Sequence, residues 1–179
     1  HQFKIIRHEI SAGPPMVWLS FSSDTSIDCP VSGYEPKQVG LKDIASVLQN
    51  NAYAPAVFKN GYRKSENIQS FGNCIIVDVD DGLGFDEAKQ SIRAKDFCAV
   101  LMTSRHHRKE KKTAAGAVHP ACDRFRIIFP CKEPLAPKHG YTPMLKNVFE
   151  YLGISKYADE KSMDPARFFF RSPPDATVF

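Results

Sequence analysis

Apolar residues along this chain fall into short stretches at two periods, and those periods predict a sheet with helices packed on it. Residues 3–10 and 16–21 read as strands, split by a Gly13-Pro14-Pro15 turn. Residues 22–40 are polar, carry Pro30, Gly33 and Pro36, and predict a loop. Leu41, Ile44, Ala45 and Leu48 share one face of a short helix over 41–49. Residues 73–80 hold the unbroken run Cys74-Ile75-Ile76-Val77, which predicts a central strand covered on both faces. A helix over 86–94 and buried strands over 97–102 and 125–129 follow, the last entered by Asp123-Arg124 and closed by Pro130. Residues 141–152 predict an amphipathic helix ended by Gly153, and 167–170 a final strand before Ser172-Pro173-Pro174. This alternation implies an α+β (mixed α/β) class with a sheet at its centre.

The length, 179 residues, suits a single domain over 1–179, with two lobes expected at about 1–70 and 71–179. Hydrophobic residues at 42% and charged residues at 25% are those of a globular protein with a real core. No run of about 18 apolar residues exists, so no membrane association is expected. The start, His1-Gln2-Phe3-Lys4, lacks an apolar signal core and reads as the edge of a domain taken from a longer protein. Five Cys, at 29, 74, 98, 122 and 131, include no C-x-x-C and suggest a reducing compartment, hence a cytoplasm. A zinc set of His107, His119, Cys122 and Cys131 has only one usable spacing, so structural zinc is not expected.

Charge changes the picture more. The first 90 residues carry 8 basic and 11 acidic side chains, net −3, and the remainder 16 and 9, net +7. A basic half beside an acidic cluster suggests a polyanionic partner. The acids gather at Asp78-Val79-Asp80-Asp81-Gly82, at the end of the most apolar strand. Side chains alternate across a strand, so Asp78 and Asp80 face the same side. Two carboxylates so close repel unless a cation lies between them. Mg²⁺ and Mn²⁺ take such hard oxygen ligands together with substrate phosphates.

The basic residues follow the next strand, in Ser104-Arg105-His106-His107-Arg108-Lys109-Glu110-Lys111-Lys112. Arg124 and Arg126 are two apart on a strand, and paired guanidinium groups suit phosphate. Together with the acids they describe a site for metal, triphosphate and nucleic-acid backbone, with Arg108, Lys109, Lys111 and Lys112 on the backbone. A third acid comes from Asp159 or Asp164, ahead of Arg167-Phe168-Phe169-Phe170, an aromatic run read as core. Asp164 precedes Pro165 and is expected to form a local turn.

In this order the motifs resemble the archaeo-eukaryotic primase superfamily, in particular the primase-polymerase domains of phages, plasmids and other mobile elements. The series is Asp78-x-Asp80, Thr103-Ser104-Arg105-His106-His107, Asp123 to Pro130, and Asp159 with Asp164-Pro165-Ala166-Arg167-Phe168-Phe169, covering roughly residues 50–175. The resemblance implies a catalytic sheet like an RNA-recognition motif, joined to a small N-terminal αβ unit. It implies two Mg²⁺ or Mn²⁺ ions on Asp78, Asp80 and a third acid. Asp159 is preferred for that third acid, because it stands eight residues before Arg167, the spacing found in related primases. It further implies an incoming nucleotide held by Ser104, Arg105, Arg124, Arg126, Arg167 and a His. Ser104-Arg105-His106 fits the common Ser-x-His, while the mobile-element pattern favours His107, and His107 is preferred. The implied partners are a single-stranded DNA template, a primer, dNTP or NTP, and a helicase domain or protein. The implied setting is a bacterial, archaeal or phage-infected cell.

Two rival readings use the same residues. A phosphatase of the haloacid dehalogenase type would use Asp78 as nucleophile and Asp80 as acid/base, with Thr103 or Ser104 as its second motif. A non-catalytic DNA-binding module of a replication initiator would bind DNA without metal-dependent incorporation.

Overall fold

A computed structural model of the protein describes residues 15–24, 30–113, 116–135 and 140–179. The expected strand at 3–10, most of the turn after it and Cys29 lie outside the described residues. Strand β1 (Met16–Ser22) is followed by β2 (Tyr34–Gly40), α1 (Ile44–Asn50), β3 (Tyr53–Ala54), β4 (Ala56–Phe58) and β5 (Ile68–Phe71). Then come β6 (Cys74–Val79), α2 (Phe85–Ala94), β7 (Val100–Thr103), β8 (Lys111–Lys112), β9 (Val118–His119), β10 (Phe125–Pro130) and α3 (Tyr141–Leu152). The class is α+β.

The central sheet has the order β6-β10-β7, with β10 antiparallel to both neighbours. Thus β6 lies at a side of this ladder and β10 in its middle, although β6 is buried on both faces as its apolar run predicts. On the outer side of β6 a single bridge joins Val79 to Ala158. Chain order and sheet order together are those of an RNA-recognition motif, β-α-β-β-α-β, with the fourth strand reduced to that one bridge. The far side of β7 is lined by the C-terminal residues, Leu101 and Phe179 exchanging main-chain hydrogen bonds of 2.8 and 2.9 Å.

Alternation along the three strands divides the core. Ile75, Val77, Val79, Leu101, Phe125, Ile127 and Phe129 face α2 and α3, meeting Phe85, Ala88, Ile92, Leu145, Val148 and Phe149. Cys74, Ile76, Val100, Met102 and Ile128 face the other way, onto Val17, Leu19 and Phe21 of β1 and Ile44 and Leu48 of α1. The N-terminal unit therefore covers the face that an isolated motif of this kind would leave open. Gly72 and Asn73 form the seam. A Cβ on Gly72 would stand 1.7 Å from the carbonyl oxygen of Trp18. Beside it the Asn73 amide accepts from Trp18 N–H at 2.7 Å and donates to the carbonyls of Met16 and Cys131, each at 3.0 Å.

Two expectations are corrected. Residues 34–40, expected as loop, form β2, because pairing with β1 along its whole length overrides a polar sequence. Pro36 is tolerated there because β2 is an edge strand of the β2-β1-β3 sheet. Residues 167–170, expected as a strand, make only one bridge, Phe169 with Tyr53. The turn at Asp164-Pro165 and the bonding of Phe170 to a side chain, described below, prevent a longer ladder.

Candidate active site

Antiparallel pairing sets the site's geometry. Arg126 is directly opposite Asp78, and just past the last paired residues, Phe125 and Val79, Arg124 Nε donates to the Asp80 carbonyl at 3.1 Å. Both pairs lie on the face covered by the N-terminal unit, at the end where β6 runs out.

The inner pair is buried. Asp78 is 9% exposed and Arg126 6%. Arg126 Nε donates to Asp78 Oδ1 at 3.2 Å, and its Nη1 donates to the Phe170 carbonyl at 2.6 Å and the Tyr53 hydroxyl at 3.3 Å. Burial opposes the charge of Arg126, but the Tyr53 hydroxyl and the Asp78 carboxylate outweigh it and hold its pKa above the ordinary value. Burial likewise raises Tyr53, so its hydroxyl stays protonated. Nothing in the Tyr53 sequence context signals this role; it follows from the pairing of β3 with β1.

The outer pair lies at the rim. Lys111 Nζ, from β8, donates to Asp80 Oδ2, and Arg124 Nε is 3.6 Å from Asp80 Oδ1. Arg124 is only 2% exposed. Its guanidinium donates to the main-chain carbonyls of Asp80 (3.1 Å), His106 (3.1 Å), Lys109 (2.8 Å) and Pro120 (2.8 Å). Four of its five N–H groups are thus committed, and Arg124 braces the basic arm against the strand end.

Asp159 arrives beside β6 through its own main chain, whose N–H donates to the Asp78 carbonyl at 2.9 Å. Its Oδ1 accepts from Lys161 N–H at 3.0 Å, and its Oδ2 is 3.6 Å from Arg167 Nη2. The same Nη2 is 3.9 Å from Asp78 Oδ2. One guanidinium therefore lies between the two carboxylates. Asp164 likewise accepts from the N–H two residues on, that of Ala166 at 2.9 Å, a local turn bond behind Pro165.

The two His diverge. His107 Nδ1 meets the Arg124 main chain at 3.1 Å, its Nε2 is 3.7 Å from Asp123 Oδ1, and Phe85 packs edge-on against its ring. These contacts hold His107 toward α2. His106 lies among the cations of the acid site. Burial first, then Arg105, Lys111 and Arg124, push its pKa below the ordinary imidazole value, so it is neutral at pH 7. Ser104 N–H donates to the Arg124 carbonyl at 3.0 Å, fixing the turn out of β7. Arg105 is exposed, its Cζ 4.2 Å from the Phe170 ring centroid.

In the arm, Arg108 Nε donates to Asp123 Oδ1 at 2.8 Å, while Lys109 and Lys112 are exposed. Asp123 was given no role of its own in the sequence. Its Oδ2 accepts from Phe85 N–H at 2.9 Å and so supplies the α2 cap that Gly84 cannot. A helix capped from 38 residues away leaves no local signal.

Three carboxylates at one strand end are the oxygen donors a hard divalent cation takes. In the described residues no three His, Cys, Asp or Glu side chains converge as a metal-binding group, and Arg126, Lys111 and Arg167 each meet one of the three carboxylates. The donor chemistry fits Mg²⁺ or Mn²⁺, and Lys111 and Arg167, on long flexible stems, are the cations such an ion would displace. For zinc, Cys122 donates its thiol to the Asp80 carbonyl while Cys131 lies past the other end of β10, roughly 20 Å away along an extended strand. In the described residues all four Cys are free thiols.

No protein-family model matches the chain, and no curated protein does. Among solved structures, the AEP domain of the cyanophage S-2L primase-polymerase is similar at 13% identity with a TM-score of 0.44, covering 92% of this chain and 80% of that one. No helix of the described residues is long and apolar enough to cross a membrane.

The phosphatase reading draws on the same residues. Its nucleophile, Asp78, is buried with one oxygen held by Arg126 and the other turned to Arg167. Thr103 Oγ1 accepts from Thr177 N–H at 2.9 Å, so it too is engaged.

Proposed function

We propose that the protein is a metal-dependent nucleotidyltransferase that extends a DNA strand on a template, in the manner of a primase-polymerase. The observation that carries this reading is the gathering of Asp78, Asp80 and Asp159 at one end of the sheet, among Lys111, Arg167 and His106. Asp78, Asp80 and Asp159 would hold Mg²⁺ or Mn²⁺, which when bound activates an attacking 3′-hydroxyl and stabilises the departing pyrophosphate.

The chain's own residues supply the rest. Arg126 fixes the Asp78 carboxylate from below, leaving Oδ2 toward the rim. Lys111 and Arg167, released from the carboxylates, neutralise a triphosphate. Neutral His106 donates one hydrogen bond to it without adding charge. Arg124 holds the arm so that Lys109 and Lys112 face template phosphates. A DNA-binding module without catalysis would need the arm but not three acids at the strand end.

Primer extension tests the reading, with dNTPs or NTPs, with and without a primer, and with Mg²⁺ or Mn²⁺. Template-directed incorporation that stops on chelation is the expected result. DNA binding without incorporation under any of these conditions would leave the non-catalytic module standing in its place.

A further inference from the structure

The aromatic run at 168–170 is divided by its own alternation. Phe169 turns into the core and stacks on Tyr53, with centroids 5.5 Å apart and an interplanar angle of 23°. Phe168 and Phe170 turn the other way and meet edge to face at 4.9 Å. Each is covered by a guanidinium, Arg63 Cζ at 4.4 Å from the Phe168 centroid and Arg105 Cζ at 4.2 Å from that of Phe170. The result is a ladder Arg63–Phe168–Phe170–Arg105. Its inner end is anchored, since Arg63 Nε donates to the Pro30 carbonyl at 3.4 Å. Its outer end, Arg105, is exposed.

That outer end is tied to the acid site. The Phe170 carbonyl accepts from Arg126, and Arg126 holds Asp78. Arg105 also stands directly before His106. A guanidinium is planar and delocalised and stacks on π-faces, and an aromatic ring behind it restricts its motion. Every base has a π-face, so such a plane accepts a base without reading its edges.

We propose that Arg105, backed by Phe170, is the platform on which the base of the bound nucleoside triphosphate stacks, with no preference among the four bases. This rests on the nucleotide-binding reading above and assigns to Arg105 a task other than phosphate contact.

The test is equilibrium binding of 2-aminopurine nucleoside triphosphate, whose emission falls on stacking, with inorganic tripolyphosphate as competitor. Arg105→Lys keeps the charge and loses the plane, while Phe170→Leu removes the backing. The expected result is quenching by the wild type and affinity for the base-bearing ligand about tenfold weaker in Arg105→Lys, the size of one base stack. Tripolyphosphate competition should move by less than about twofold in that variant. Phe170→Leu should reduce the quenching while leaving tripolyphosphate competition in place. Unchanged quenching and affinity in Arg105→Lys would overturn the platform, as would an equal loss for both ligands, which would make Arg105 a phosphate contact. Binding of neither ligand by the wild type would overturn the nucleotide reading itself.

Discussion

Asp78–Arg126 is a rung of the β6-β10 ladder and Asp80 with Arg124 lies just beyond its end, and the two pairs do different work. The inner rung is enclosed by the N-terminal unit, and Arg126 directs its donors to Asp78, Tyr53 and Phe170. In the outer pair Arg124 gives its hydrogen bonds to four main-chain carbonyls with its Nε 3.6 Å from the Asp80 carboxylate, and Lys111 donates to Asp80 at the rim. Burial makes the difference. An enclosed charge must keep its partner, whereas a half-exposed carboxylate can exchange one cation for another at little cost.

The strongest way to break this contrast is to remove the two acids separately. Asp78→Ala leaves Arg126 buried without its carboxylate and should cost about 3–5 kcal/mol in urea unfolding. Asp80→Ala should cost no more than about 1 kcal/mol, because Lys111 regains water. Equal losses would erase the distinction between the pairs.

Arg124 comes next. Arg124→Ala should lose about 1.5–3 kcal/mol and expose residues 105–120 to limited proteolysis, since charged donors to four carbonyls disappear together. Arg124→Lys should not restore protection, because one ammonium cannot span that set. If Arg124→Ala leaves the arm as resistant as before, the brace is elsewhere.

Smaller effects sharpen the rim. Lys111→Ala should change stability by at most about 1 kcal/mol, the value of a partly exposed ion pair. His106 has a folded pKa below its ordinary value, so its contribution is complete above about pH 6.5 and declines as pH falls through that value toward the folded pKa. The wild type should therefore lose stability relative to His106→Gln on acidification from pH 7 to 5. A constant difference across that range would mean that His106 is not held neutral by its surroundings.

Much of this was legible in the chain. The apolar run at Cys74–Val79 gave a strand buried on both faces, and two-residue spacing put Asp78 with Asp80 and Arg124 with Arg126 on one side. Periodicity alone cannot say how deep each side chain lies, and depth is what separates a phosphate contact from a brace. The preference for His107 over His106 was formed without Asp123 and Phe85, which the packing of α2 brings against the His107 ring. Strand β2 was missed because its polar residues are held by main-chain pairing, which leaves no apolar signal. The proline after Asp164 does not separate it from Asp159, since each acid accepts from the main-chain N–H two residues on, and the structural difference between them is the approach of Arg167 to Asp159.

The central claim is that the rim acids give up their internal cations to a divalent metal while the inner pair stays locked. Mn²⁺ titration followed by electron paramagnetic resonance tests it directly, since bound Mn²⁺ loses the sharp signal of the free ion. The wild type should remove free Mn²⁺ from solution, and Asp80→Asn and Asp159→Asn, both still folded, should each bind it at least about tenfold more weakly. Wild-type affinity in both variants would contradict the account.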